Sequence, residues 1–131
     1  MKRFFTDQST TGGIQEALLL KMMPIPLSNV PFHDNTESIT RYFAENFPVH
    51  LAVHEVSPVS NPPAIYTQLH SHDDCDEVNI IISQDYLLYK IEIGEKGFFV
   101  KNNSCVWIPR GTIHSANVLE GSGYFITMRL K

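Results

Sequence analysis

The chain has 131 residues, of which 43% are hydrophobic and 18% charged, and its formal net charge at pH 7 is -4. That length suits one domain around a single core, and the composition is that of a folded chain rather than a disordered one. An acidic balance without a cluster of Lys and Arg argues against nucleic acid as a partner, and no apolar run is long enough to span a membrane.

At the start, Lys2 and Arg3 are followed only by Phe4 and Phe5 before polar residues. This is not the apolar stretch of a secretory signal, so a cytoplasmic location is expected, with Cys75 and Cys105 as free thiols. The apolar run 17–23 lies between Gly12-Gly13 and Pro24 and is short enough to be helix or strand. Asp34 and Glu37 have capping-box spacing, and Ile39, Tyr42, Phe43 and Phe47 follow at helical intervals. Together they predict a short amphipathic helix over 36–46, packed outside the barrel that follows.

From residue 50 the pattern changes to short β-rich segments punctuated by Pro, Gly, Asn and Asp, the rhythm of an antiparallel sandwich or barrel. Eight strands are expected, near 50–56, 64–71, 76–83, 86–93, 97–100, 105–108, 114–118 and 123–130. Turns are expected at Ser60-Asn61-Pro62-Pro63, Gln84-Asp85, Gly94-Glu95-Lys96-Gly97, Lys101-Asn102-Asn103 and Glu120-Gly121-Ser122-Gly123. Residues 1–131 thus form one domain, with an N-terminal segment, 1–49, that carries the helix, and a β-barrel, 50–130.

Strand side chains alternate faces, so His70 and His72 project to one side, and Glu77, opening the next strand, can return to meet them. Imidazole nitrogens with a carboxylate suit a first-row divalent ion, and His114, aimed by the Pro109-Arg110-Gly111 turn, is the candidate fourth donor. Asp76 is the reserve ligand should Glu77 point away. By the same alternation Tyr66 and Gln68 share the face of His70, and Asn79 shares that of Glu77. These three are the expected catalytic residues, with Tyr66 as proton donor, although mutual hydrogen bonding would equally satisfy them. His50 and His54 are expected to be structural or exposed. Arg129 is either a contact for an acidic substrate or a surface charge.

Two stretches resemble the motifs of the cupins. His70-Ser71-His72-Asp73-Asp74-Cys75-Asp76-Glu77 matches a first motif written HxH, three or four residues, then E, and Pro109-Arg110-Gly111-Thr112-Ile113-His114 matches a second, PxG, two residues, then H. The resemblance covers roughly residues 65–117. It implies a small single-domain cupin: an all-β double-stranded β-helix, or jelly-roll barrel, that holds one divalent transition metal, Fe(II), Mn(II), Ni(II), Cu(II) or Zn(II), on His70, His72, Glu77 and His114. It further implies a small-molecule ligand or substrate and a homodimer. Among cupin activities a dioxygenase acting on a small polar metabolite is narrowly favoured. An isomerase or lyase on a sugar-like or acidic substrate is the first alternative. The second is a noncatalytic sensor similar to the ligand-binding cupin of arabinose-type regulators, though without an attached DNA-binding unit. The usual glycines before the first histidine, after the first-motif strand and at the opening of the second motif are missing. Gln84-Asp85 and Asn103 stand at the latter two places, and Asn tolerates the left-handed conformation. Asn117 lies one residue earlier than the usual second-motif Asn, so no role is carried over to it.

Overall fold

The computed structural model describes residues 19–131, so the first part of the apolar run 17–23 lies outside the described residues. Eight strands form: β1 (Met23–Pro24), β2 (Ile39–Phe43), β3 (His50–Val59), β4 (Asp76–Ile82), β5 (Leu87–Ile93), β6 (Lys96–Lys101), β7 (Ser104–Ile108) and β8 (His114–Leu130), with one 3₁₀ turn at Leu27–Asn29. All pairings between them are antiparallel, in the order β1-β2-β3-β8-β4-β7, with β5 added to β8 and β6 to β5. No described helix is long and apolar enough to cross a membrane.

The 17-residue β8 belongs to both layers. Its first part pairs with β5 from His114 to Gly121, and its second part pairs with β3 and β4 up to Leu130. The change of layer falls at Gly121 and Gly123, whose φ angles are +99° and +147°. A Cβ at either would collide with the carbonyl oxygen of Tyr86 or Ile82. The expected turn at 120–123 is therefore no turn: 114–118 and 123–130 are one strand, and the glycines allow the backbones to approach as it bends.

The expected helix over 36–46 is instead strand β2, paired with β3 from Ile39↔Val56 to Phe43↔Ala52. Ile39 and Arg41 are buried while Thr40 is exposed, a period of two. Because one inward residue is an arginine, the alternation is hidden and the remaining apolar residues mimic helical spacing. The N-terminal segment thus adds β1 and β2 to the sheet rather than a helix outside it.

Residues 64–71 form no strand, only single bridges at Thr67 with His33 and at His70 with His114. Their backbone groups find mixed partners: the Asp34 N–H donates to the Tyr66 carbonyl, the Gln68 N–H to that of Phe32, and Asn117 Oδ1 accepts from both Tyr66 and Thr67, each at 3.0 Å. With a side chain replacing part of a ladder, strict alternation is lost. Asn103, standing where the cupin pattern has glycine, adopts φ +65°, so its turn keeps the left-handed geometry.

One end of the barrel is closed by Ile39, Val56, Val59, Ile81, Leu87, Tyr89, Ile91, Val118 and Phe125. Tyr89 and Phe125 stack there with ring centroids 4.5 Å apart. At the other end, one rung across β3, β8 and β4 holds His50, Arg129 and Glu77.

Candidate metal centre

The two histidine motifs are joined through the main chain. His70 and His114 exchange backbone hydrogen bonds of 3.1 and 2.8 Å, and the Gly111 N–H donates to the His72 carbonyl at 2.7 Å. Gly111 reaches this position with φ +80°. The Asp76 carboxylate fixes the same turn, accepting from the Arg110 N–H at 2.9 Å and from Arg110 Nε at 3.3 Å. Asp76 thus holds the turn, and the condition for its use as reserve, Glu77 pointing away from the histidines, is not met.

This framework gathers three imidazoles, with ring centroids 4.5 Å apart for His70 and His114, 5.0 Å for His70 and His72, and 5.2 Å for His72 and His114. One ring nitrogen from each lies within 4.8 Å of the others. His70 Nδ1 lies 2.7 Å from the Gln68 carbonyl and His114 Nδ1 2.9 Å from that of Thr112. A carbonyl only accepts, so both Nδ1 atoms carry a proton, which leaves Nε2 as the nitrogen through which each ring could bind a metal.

Glu77 Oε1 lies 3.2 Å from His72 Nε2 and 3.4 Å from His114 Nε2, while Oε2 accepts from Asn79 Nδ2 at 2.9 Å. Burial alone would raise the Glu77 carboxyl, but its contacts with His114 and Asn79 and the nearby His114 and His72 charges hold it down at about 2. Burial likewise would lower His114, and Glu77 with the Thr112 carbonyl overcomes it, so His114 is raised. His70 and His72 are lowered, chiefly by burial. Despite their closeness to Glu77, Nε2 of His72 and of His114 are buried without a hydrogen-bond partner among the described residues. Buried ring nitrogens without a partner beside a carboxylate are costly, and three imidazoles with one carboxylate fit a first-row divalent ion.

Beneath the histidines is a cavity of about 40 Å³. Tyr66 lines it, buried, with its hydroxyl accepting the Val118 N–H at 2.9 Å. Asn79 is wholly buried and reaches the site through Glu77. Gln68 does not face inward: its side chain is exposed, and Thr67 takes the inward place because 64–71 lacks strand alternation. His50 and His54, expected to be structural or exposed, and Arg129, left open between two roles, all line the cavity. Burial lowers His50 to about 4 and His54 to about 3, so both are neutral at pH 7.

His33 and Arg41 line the cavity without having been expected there, and Asn117, to which no role had been carried over, holds a neighbouring segment. His33 enters through its bridge to Thr67, Arg41 through β2, and Asn117 pins the segment that carries Tyr66 and Thr67. The one available signal was Arg41, a charge amid the β-prone run Ile39-Thr40-Arg41-Tyr42-Phe43.

No protein-family model and no curated protein matches the sequence. Solved structures do match. A predicted oxalate decarboxylase from Thermotoga maritima aligns with a TM-score of 0.59 at 14% identity, over 87% of this chain and 95% of that one. A cupin-2 domain from Rhodospirillum rubrum aligns at 0.56 and 17%, over 85% and 69%. The Fe(II) form of HppE aligns at 0.59 and 12%, over 83% of this chain and 56% of that one. At such identities the likeness shows the fold, and the chain has the β-barrel fold of the cupins.

Proposed function

We propose that the chain is a metal-dependent enzyme acting on a small polar metabolite, with the ion held by His70, His72, Glu77 and His114 and oxygenation as the reaction. The observation that carries this reading is the pair of unpartnered buried Nε2 atoms of His72 and His114 beside Glu77 Oε1, with His70 completing the triangle. Histidines with a carboxylate and open positions are the donor set of non-haem Fe(II) oxygenases, and the similar HppE structure contains Fe(II). Such an ion, when bound, supplies Lewis-acid polarisation and, if redox-active, electrons for dioxygen chemistry.

The remaining roles belong to the protein's own groups. Asn79 orients Glu77, and the carbonyls of Gln68 and Thr112 orient the His70 and His114 rings. Tyr66, kept protonated by burial and lining the cavity, is the proton donor to the substrate. An isomerase or lyase would use the same ligands without consuming oxygen. Protein purified without an affinity tag, analysed for metal and then assayed for oxygen uptake with candidate metabolites, separates the two. Metal-dependent turnover with no oxygen consumed would replace the oxygenase with a Lewis-acid reaction.

A further inference from the structure

Arg41 is 7% exposed and lines the cavity, its guanidinium 4.8 Å from the centre of the Phe43 ring, yet among the described residues its side chain has no carboxylate within 4.0 Å. Arg129 faces the same cavity, with its Nε buried, unbonded and 4.0 Å from Glu77 Oε1. Burial lowers Arg41, and Arg129 lowers it further, so the two guanidiniums sense one another across the cavity. Glu77 is the one acidic residue among the lining groups. His33, His50 and His54, lowered mainly by burial, add hydrogen-bonding capacity without charge at pH 7. Two guanidiniums face the cavity against one carboxylate, and Arg41, buried on the Phe43 ring without an acidic partner among the described residues, is the one an anion would pair.

We propose that the cavity binds a small monocarboxylate, its carboxylate seated against Arg41 and Arg129 next to the histidine cluster. This deepens the proposed function and rests on it, since the carboxylate is the anchor of the substrate presented to the metal ligands. Both guanidiniums favour an anion, and the planar fork of a guanidinium matches the two oxygens of a carboxylate. A volume of about 40 Å³ is room for roughly three waters, enough for a carboxylate and a little more, so any longer part of the molecule points out of the barrel.

The test is calorimetric titration of lactate, lactamide and inorganic phosphate into the full chain, with and without added Fe(II) under anaerobic conditions. Lactate is expected to bind both forms, at least tenfold tighter than lactamide and tighter than phosphate. Arg41→Gln should weaken lactate at least tenfold, and Arg41→Lys, which keeps the charge but not the fork, should fall between. Should Arg41→Gln fail to fold, the wild-type comparison of acid with amide still decides. Equal binding of lactate and lactamide, binding of neither, or a preference for phosphate would overturn the carboxylate site. Lactate discrimination in a protein that takes up no metal would sink the metal reading alone, and stoichiometric metal without lactate discrimination would sink this proposal alone.

Discussion

His70 and His114 lie 44 residues apart and hold each other by two main-chain hydrogen bonds, 3.1 and 2.8 Å long, which bring their rings together. Changes to the candidate ligand side chains therefore separate from changes to the fold.

Asn79 donates to Glu77 Oε2 at 2.9 Å and is wholly buried, so it sets the carboxylate's orientation. Asn79→Ala should weaken metal binding by about 10–100-fold, the usual effect of losing a partner behind a ligand, while one ion per chain still binds at saturation. Competition with a fluorescent chelator measures this, and unaltered affinity would remove Asn79 from the site.

Tyr66→Phe removes the acceptor of the Val118 N–H and should cost about 1–3 kcal/mol of stability. If the phenol is also the proton donor, turnover falls by about a hundredfold or more at constant metal content. A lower melting temperature with unchanged single-turnover rate would leave Tyr66 with its structural hydrogen bond alone.

Acid should destabilise the protein well before carboxylates titrate. His54 and His50 fall from 6.5 to about 3 and about 4 in the folded state, so the unfolded chain takes up their protons first. Their stabilisation is full above pH 6.5 and is lost as pH falls toward those values. Glu77, depressed from 4.5 to about 2, adds a second loss between those values. Urea melts of the metal-free protein should show stability falling steadily from pH 7 to 5, and His54→Leu should flatten that limb. Equal stability of the wild type at pH 7 and pH 5 would contradict these assignments.

Gly121→Ala should be among the most damaging single substitutions, since its Cβ meets the Tyr86 main chain and its φ of +99° is unfavourable for alanine. A loss of more than about 3 kcal/mol, or no soluble protein, is expected. Gly111→Ala has open space around the new Cβ and should be milder, limited to the strain of φ +80°. Similar melting temperatures for the two variants would mean that the close approach at β8 does not matter.

The candidate site was legible because motif residues carry fixed chemistry at fixed spacing: His70, His72 and His114 lie together, with Glu77 beside His72 and His114. Strands β3 to β7 were legible from punctuation by Pro, Gly, Asn and Asp, although 64–71, expected between β3 and β4, forms none. What was lost had a common cause, polar residues facing inward. Arg41 disguised β2 as a helix, and Asn117 replaced the ladder around Thr67, which spoiled the parity that placed Gln68 in the cavity. Gly121 and Gly123 looked like a turn because glycine marks both tight turns and close backbone approach, and sequence does not distinguish them. His33 came from a segment with no pattern of its own, positioned by one bridge to Thr67.

The most direct test of the metal centre is elemental analysis of untagged protein and of the double variant His70→Ala with His114→Ala, each dialysed against Fe(II), Mn(II) and Zn(II) at pH 7.5. One ion per chain is expected in the wild type and well under a tenth of that in the variant, with the same far-ultraviolet circular dichroism, because the main-chain bonds between positions 70 and 114 do not depend on the rings. Stoichiometric metal in the double variant, or none in the wild type with any of the three ions, would contradict the account.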